Sequence, residues 1–540
     1  MPDDMKSMSS TIAVFGLGHV GLPTLLGFAE LGYRVIGTDC DSQKIAAIRS
    51  GDPTFYEPGL EELLRKHLRN PQFRLTDDAT EAIRAAGVLF LCVGTPQRPN
   101  GDADLRAIED LARLIAQNLN GYKLVVEKST VPALTGQWLQ RTIVRHACLQ
   151  NGNGTHSPNE KDVRKANGNG NGSGSRHNGA RNGGHKLNGG NSHANGWKEL
   201  ASHWFEVAAN PEFLQEGRAL ENFFAPSRVV CGASSQRAQR ILAELYRPLN
   251  CPMLFTDLAT AEVIKHAANA FLATKISFIN LVADICEAVG GDVTQVAAGI
   301  GLDPRIGPEF LQAGIGFGGY CLPKDLKAFI HLAEEHNVDA SLLGQAEEIN
   351  RGRAERLVRK VRHGLWILEG KTVAILGLAF KAGTDDVRES PSLKVVDALR
   401  REGVRLRLYD ALAMEQAKRE LAEVPGCVTY CATPYEAARG AHALLILNEA
   451  PEFRRLKFSR LRQLMEIPLI VDGRNLLDPN EIRHAGFEYI SVGRGFRVSM
   501  GWEQEVHEPE FASPDCQAWV PGEPAREPIA RSVRRAPFRH

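Results

Sequence analysis

Short apolar runs alternate with helically spaced apolar residues along most of this chain. Thr11–Phe15 is a β-rich run that leads straight into Gly16-Leu17-Gly18-His19-Val20-Gly21. A helical pattern follows in Leu22, Leu25, Leu26 and Ala29, and a second strand over 34–37 ends at Asp39. Further strands are predicted over 88–93, Lys123–Glu127, 204–209 and 228–232, the last closing a first domain. Strands separated by helical stretches predict a doubly wound α/β sheet.

The period then changes. From Asp257 to Gly290 apolar residues recur through Val263, Ala267, Ala270, Phe271, Ile276, Ile279, Leu281, Val282 and Ile285. Asp257 and Thr260 suit the start of such a helix, which at 1.5 Å per residue would run about 50 Å and could join two domains. From Gly370 the first pattern returns, with a strand over 371–376, the turn Gly377-Leu378-Ala379-Phe380-Lys381, and Ser390 capping a helix at Pro391. A strand over 404–409 ends at Asp410, 441–447 runs into Asn448-Glu449-Ala450-Pro451, and 469–472 into Gly473-Arg474. The predicted architecture is α/β, two Rossmann-like doubly wound domains joined by a long central helix, divided at 11–255, 256–365 and 366–500. The second domain lacks Gly-x-Gly-x-x-Gly, so it is expected to bind something other than a whole dinucleotide, such as a nucleotide portion of the substrate.

Composition narrows the partners. A chain of 540 residues, 43% hydrophobic, is too long for one core. Lys+Arg and Asp+Glu both number 64, so no global field draws nucleic acid or an anionic membrane, and a small molecule is the expected partner. Residues 1–10 carry no apolar signal region and no run is long enough to span a bilayer, which places the protein in the cytoplasm. The ten cysteines show neither CxxC pairs nor zinc spacing, so reduced thiols and no metal site are expected. Residues 151–196 are half Asn and Gly and read as a disordered insert; His156, His177, His185 and His193 have no fixed spacing for a metal. The Pro-, Glu- and Arg-rich stretch 501–540 reads as a disordered tail.

Candidate chemistry sits at the carboxyl ends of the strands and in the central region. The glycine fingerprint between a strand and a helix, with an acid about twenty residues on, is a dinucleotide site: the glycines admit the pyrophosphate and Asp39 holds the adenosine ribose. Asp39-Cys40-Asp41 would repel a 2′-phosphate, so NAD is expected over NADP. Thr95 and Thr130 put small polar groups at strand ends, though Thr130 also suits a helix N-cap. In Asn210-Pro211-Glu212-Phe213-Leu214-Gln215-Glu216, two carboxylates stand four apart; they are a base with a polar anchor, or a solvated pair. Lys265 and Asn269 share a helix face and could bind a sugar oxygen or an oxyanion, or the lysine could simply snorkel.

The stretch from Gly316 to Asp325 presents Cys321 from glycine-rich backbone at a helix start, with Pro323 suited to the first helical position. That position lies near the positive end of the helix and favours a thiolate nucleophile, while Lys324 and Asp325 project to the side of the sulfur. A buried structural cysteine is the plainer reading.

Together these motifs resemble the UDP-glucose/GDP-mannose dehydrogenase family over 11–495, interrupted by the insert. The resemblance rests on the fingerprint with Asp39, Lys-Ser-Thr-Val-Pro, Asn-Pro-Glu-Phe-Leu-x-Glu-Gly, Lys265 with Asn269, Gly-Phe-Gly-Gly-x-Cys-x-x-Lys-Asp and Phe380-Lys381. It implies NAD-dependent four-electron oxidation of a nucleotide sugar at C6, through a thiohemiacetal and thioester on Cys321. Lys265 and Asn269 would stabilise the C6 oxygen, Glu212 would activate the hydrolytic water, and Thr130 and Asp325 would position it. The cofactor would be held by Gly16, Gly18, Val20, Gly21, Asp39, Lys44, Thr95, Thr130, Glu216, Lys324 and Arg388. The sugar nucleotide would meet Glu212, Phe213, Leu214, Lys265, Asn269, Phe310, Gly318, Phe380, Lys381, Arg474 and Arg305 from a neighbouring subunit, which implies at least a homodimer. Tyr320 and Leu322 depart from the residues frequent beside the family cysteine. UDP-glucose is the expected substrate, with GDP-mannose or another UDP-hexose as alternatives. A two-electron β-hydroxyacid dehydrogenase and a non-catalytic NAD-binding redox sensor are the other classes the same residues would suit.

Overall fold

The computed structural model describes residues 11–98, 103–151 and 204–495; the insert and tail expectations above fall outside these residues. The first sheet has the strand order β3-β2-β1-β4-β5-β6-β7-β8. Its strands are β1 (Thr11–Phe15), β2 (Arg34–Thr38), β3 (Phe73–Thr76), β4 (Val88–Leu91), β5 (Lys123–Glu127), β6 (Phe205–Ala209), β7 (Val229–Ala233) and β8 (Met253–Thr256). All neighbours are parallel except β6 and β7. The domain does not close at β7: β8 pairs parallel beyond it and delivers the chain to the central helix. Apolar clusters lie on both faces, one around Leu25, Phe28 and Phe90, the other around Leu89, Leu91 and Ile115. Burial on both faces explains why the inner strands read as unbroken apolar runs.

The second sheet, in the order β11-β10-β9-β12-β13-β14, is parallel throughout. It comprises β9 (Thr372–Leu376), β10 (Arg405–Tyr409), β11 (Val428–Tyr430), β12 (Ala443–Ile446), β13 (Leu469–Asp472) and β14 (Glu488–Ser491). Between the sheets runs the central helix, Leu258–Val289, capped by Asp257 at its start and by left-handed Gly290 at its end. Its far half packs Ile279, Ala283 and Cys286 into the core of the second sheet. Its near half buries a polar set, Glu262, Lys265, His266 and Asn269, at i, i+3, i+4 and i+7 on one face. No helix among the described residues is long and apolar enough to cross a membrane.

Candidate active site

Cys321 is itself the first residue of the helix Cys321–Glu335, so Pro323 stands third and not first. Proline is tolerated there because first-turn N–H groups have no intrahelical partner. The glycines ahead of the thiol serve packing as well as turning. Gly316 and Gly319 take φ of +99° and +78°. A Cβ on Gly318 would fall 2.3 Å from the Glu389 carbonyl oxygen, and one on Gly319 2.8 Å from the Phe380 ring. The cysteine loop is therefore seated on the second sheet's connections. Asn350 brackets Phe317 from the other side, accepting its N–H at 2.8 Å and donating to its carbonyl at 3.0 Å.

Facing the thiol, the central helix supplies two polar pairs. Lys265 Nζ donates to Glu212 Oε1 at 2.9 Å with both side chains buried, and Glu212 Oε2 accepts the Leu214 N–H at 2.6 Å. Asn269 Nδ2 donates to Asp325 Oδ2 at 2.6 Å, and Lys324 Nζ pairs with Asp325 Oδ1 at 3.0 Å. Burial opposes the charge on Lys265, but Glu212, with Asp325 and Cys321, outweighs it and raises the lysine above its ordinary value. Burial likewise opposes ionised Asp325, yet Lys324 and Lys265 hold its carboxyl below the usual range. The thiol behaves differently from the sequence expectation. Burial, reinforced by the Glu212 carboxylate, pushes Cys321 up to about 12 against the pull of Lys265, so the resting residue is a thiol. Proximity to a helix start does not offset two buried carboxylates.

The dinucleotide side is built as the fingerprint requires. Gly16 has φ of +88°, and a Cβ on Gly21 would lie 1.7 Å from the Gly16 carbonyl oxygen, so these two glycines serve the turn itself. A Cβ on Gly18 would meet nothing within 4 Å: the space above it is open to a pyrophosphate. Val20 is the N-cap of the following helix, Gly21–Glu30. Asp39 Oδ2 accepts the Leu17 N–H at 2.8 Å and Lys44 Nζ at 3.0 Å. Asp41 caps the helix Ser42–Ser50 through the N–H groups of Gln43 and Lys44, so it is committed to structure, and repulsion of a 2′-phosphate falls to Asp39 alone. Thr130 is no helix cap, since the next helix starts at Thr135; its carbonyl accepts Thr95 Oγ1 at 2.8 Å and Lys324 Nζ at 3.5 Å.

Between the sheets, Arg388 clasps Asp386 with Nε and Nη2, reaches Glu216 Oε1 at 3.3 Å and lies 4.6 Å from the Tyr320 ring centroid. Burial and Asp386 push Glu216 up to about 8. Arg474 donates to the carbonyls of Leu447, Gly316 and Phe380, tying the cysteine loop to the second sheet, and Lys381 stands 5.4 Å from the Phe380 ring. Arg305 is not brought in: it pairs with Asp303 and its side chain is 87% exposed. Phe310 is half-buried with φ of +63°. Sequence reasoning passed over Arg228, which stacks 3.9 Å from the Phe213 ring whose centroid is 5.3 Å from Lys265. It also passed over Glu262, although its spacing from Lys265 would have placed it on the same face.

A dinucleotide cradle on one α/β sheet, a second such sheet, and a buried thiol with a Lys–Glu pair between them define an NAD-dependent dehydrogenase of two Rossmann-like domains. Comparison with known proteins agrees. The UDP-glucose/GDP-mannose dehydrogenase family matches in all three parts: NAD binding domain at residues 10–159 and 189–250, central domain at 259–352, and UDP binding domain at 374–479. A UDP-glucose 6-dehydrogenase of Rhizobium meliloti is 40% identical over 490 residues, covering 89% of this chain and 99% of that one. One from Bacillus subtilis is 38% identical over 483 residues, 89% and 93%. The solved UDP-glucose dehydrogenase of Pyrobaculum islandicum superposes with a TM-score of 0.75 at 33% identity, covering 91% and 99%. The chain belongs to the UDP-glucose/GDP-mannose dehydrogenase family, and is an NAD-dependent nucleotide-sugar dehydrogenase.

Proposed function

We propose that this enzyme oxidises UDP-glucose at C6 twice, to UDP-glucuronate, with Cys321 carrying the sugar between the oxidations. The observation that carries this reading is the convergence of the thiol, the Lys265–Glu212 pair and the Asn269–Asp325 bond in one buried cluster between the two sheets. Bound NAD supplies the hydride acceptor in both oxidations. Gly18 leaves room for its pyrophosphate in the turn that Gly16 and Gly21 shape, Asp39 and Lys44 meet its ribose, and Val20, Thr95, Thr130, Glu216, Lys324 and Arg388 line its path. Lys265 and Asn269 hold the C6 oxygen. Addition of the thiol across the C6 carbonyl moves the sulfur's proton to that oxygen, so no resting thiolate is needed, and the adduct becomes a thioester on oxidation. Glu212 then activates a water positioned by Thr130 and Asp325, and hydrolysis frees the thiol and the acid.

The sugar nucleotide lies along Phe213, Leu214, Phe310 and Gly318, with Phe380, Lys381 and Arg474 at its nucleotide. The functional divisions are 11–255 for NAD, 256–365 for catalysis and 366–500 for UDP. The enzyme works as a homodimer. Phe271, Phe278 and Ile285, seven apart on one face of the central helix, are each at least half exposed, and a second copy covers them. Arg305, free of its own site, reaches the partner's substrate. We assign the protein to the cytoplasm, consistent with the free state of every described cysteine. The test counts NADH released per UDP-glucose, with GDP-mannose and UDP-N-acetylhexosamines alongside. Two NADH and an acid are expected, and Cys321→Ala should cut acid formation by about 10⁴-fold with NAD binding intact. Two NADH at an appreciable rate from Cys321→Ala would overturn the covalent route.

A further inference from the structure

Beside Lys265 lies a small chamber with two buried carboxyl groups, Glu127 and Glu262, that the reaction scheme above does not use. A cavity of about 10 Å³ is lined by Glu127, Ser129, Thr130, Val131, Ala209, Pro211, Glu262 and Lys265. That is close to the room one water needs, and the walls are polar enough to hold it. Glu127, the last residue of β5, is 2% exposed, and its Oε1 has no hydrogen-bond partner in the protein. Glu262, on the central helix, is 3% exposed; its two oxygens accept the N–H groups of Leu134 and Gly136 at 2.6 and 2.7 Å. Two buried carboxyl groups thus share one water-sized chamber with the lysine of the active site.

A pair of buried carboxyls without a cation between them is costly unless it holds a proton. Burial raises Glu127 well above the ordinary carboxyl range, and the Glu262 charge adds to this. Burial brings Glu262 to about 7, opposed by the two backbone N–H groups and assisted by Asp257. The other charged groups near the chamber are Lys265, held as a cation by Glu212; Lys128, which follows Glu127 and bonds Asn210; and His266, which bonds the Val131 carbonyl and is lowered by burial. Glu127 is thus the more firmly protonated of the two, while Glu262 is near the middle of its titration at neutral pH and can take up or give back a proton.

The reaction needs such an acceptor. Conversion of an alcohol, two NAD⁺ and one water to a carboxylate and two NADH releases three protons, all in the cluster between the two sheets. We propose that Glu127 and Glu262 form a buried proton relay that takes these protons one at a time, through a water in the chamber, from the Lys265 side of the site and hands each on to solvent water before accepting the next. Neither carboxyl touches the substrate; both act through the water and Lys265. The inference rests on the reading of the site given under Proposed function.

Glu127→Gln copies the shape of a protonated glutamate and should leave the melting temperature and the binding of NAD and UDP-glucose unchanged. It should lower kcat about tenfold with less than twofold change in KM, and enlarge the solvent isotope effect on kcat. In the unmodified enzyme kcat should rise with pH through about 7, as Glu262 loses its proton and becomes able to accept one. Glu262→Gln should abolish that limb. Because this second change also disturbs the contacts to Leu134 and Gly136, its melting curve is measured beside Glu127→Gln. Unmodified kcat and isotope effect in Glu127→Gln would overturn the relay. Its failure is distinguishable from failure of the function: two NADH per UDP-glucose with an unaltered Glu127→Gln sinks only the relay, whereas one NADH sinks the reading beneath it.

Discussion

The two sheets carry the same device at the same place and use it oppositely. After β1, the Gly16 N–H donates to the Thr38 carbonyl; after β9, the Gly377 N–H donates to the Tyr409 carbonyl, and both glycines have φ near +90°. An acid ends the second strand of each unit, Asp39 in one and Asp410 in the other, and each accepts the first N–H of the turn, from Leu17 or Leu378. Each also accepts the N–H two residues on, from Asp41 or Leu412, and there the likeness stops. Asp410 also accepts from the N–H groups of Ala379 and Ala413 and from Asn448 Nδ2, so all its capacity is spent inside the fold. Asp39 instead keeps a half-buried side-chain partner, Lys44, in a turn whose Gly18 faces open space. A cradle becomes a strut when its acid is saturated by backbone donors and its second glycine is replaced by Ala379.

The largest effect that would test this contrast is on stability. Asp410→Ala should cost about 3–5 kcal/mol, because several buried N–H groups lose their only acceptor at once; a melting curve measures it, and a loss under about 1 kcal/mol would contradict the strut. Next is Gly18→Val, which should weaken NAD binding on the order of a hundredfold, or about 2.7 kcal/mol, with little change in melting temperature. Retained NAD affinity in calorimetry would show that the open space is not the pyrophosphate's. Lys381→Ala should raise KM for UDP-glucose about tenfold and leave the NAD dissociation constant alone, separating the two domains by ligand. The smallest change concerns Asp39→Ala, which should narrow the preference for NAD over NADP about tenfold, as the charge facing a 2′-phosphate is removed. Equal kcat/KM for both cofactors in the unmodified enzyme would refute that assignment.

What was legible in the sequence follows the same physics of burial. The inner strands, such as β5 with every residue buried, stand out as apolar runs. The four edge strands, β3, β8, β11 and β14, were not read. β3 is Phe-Arg-Leu-Thr with its arginine exposed and shows no continuous run, and the apolar run of β8 is only Met-Leu-Phe, with Leu254 48% exposed, too short to stand out from its surroundings. At the site, motifs gave the residues but not their pairing. Glu212 and Lys265 lie 53 positions apart, and no spacing rule says that they form an ion pair. Cys321 shows the limit most clearly: a helix start and a nearby lysine suggest a thiolate, but its state is set by burial and then by Glu212, both of which arise only in the tertiary fold. Gly318 also has a packing reason that no motif shows: a side chain there would meet the Glu389 carbonyl.

That seat for the cysteine loop sets an order of events during synthesis. Glu389, Phe380 and Arg474, which shape and anchor the loop, are translated after Cys321, the last of them by 153 positions. At ribosomal speeds of about 5–20 residues per second, this is a delay of roughly 8–30 seconds. Throughout that interval the nascent chain has an NAD cradle and a thiol but no assembled catalytic centre. The enzyme is born inactive and is switched on by the arrival of its own carboxyl-terminal third.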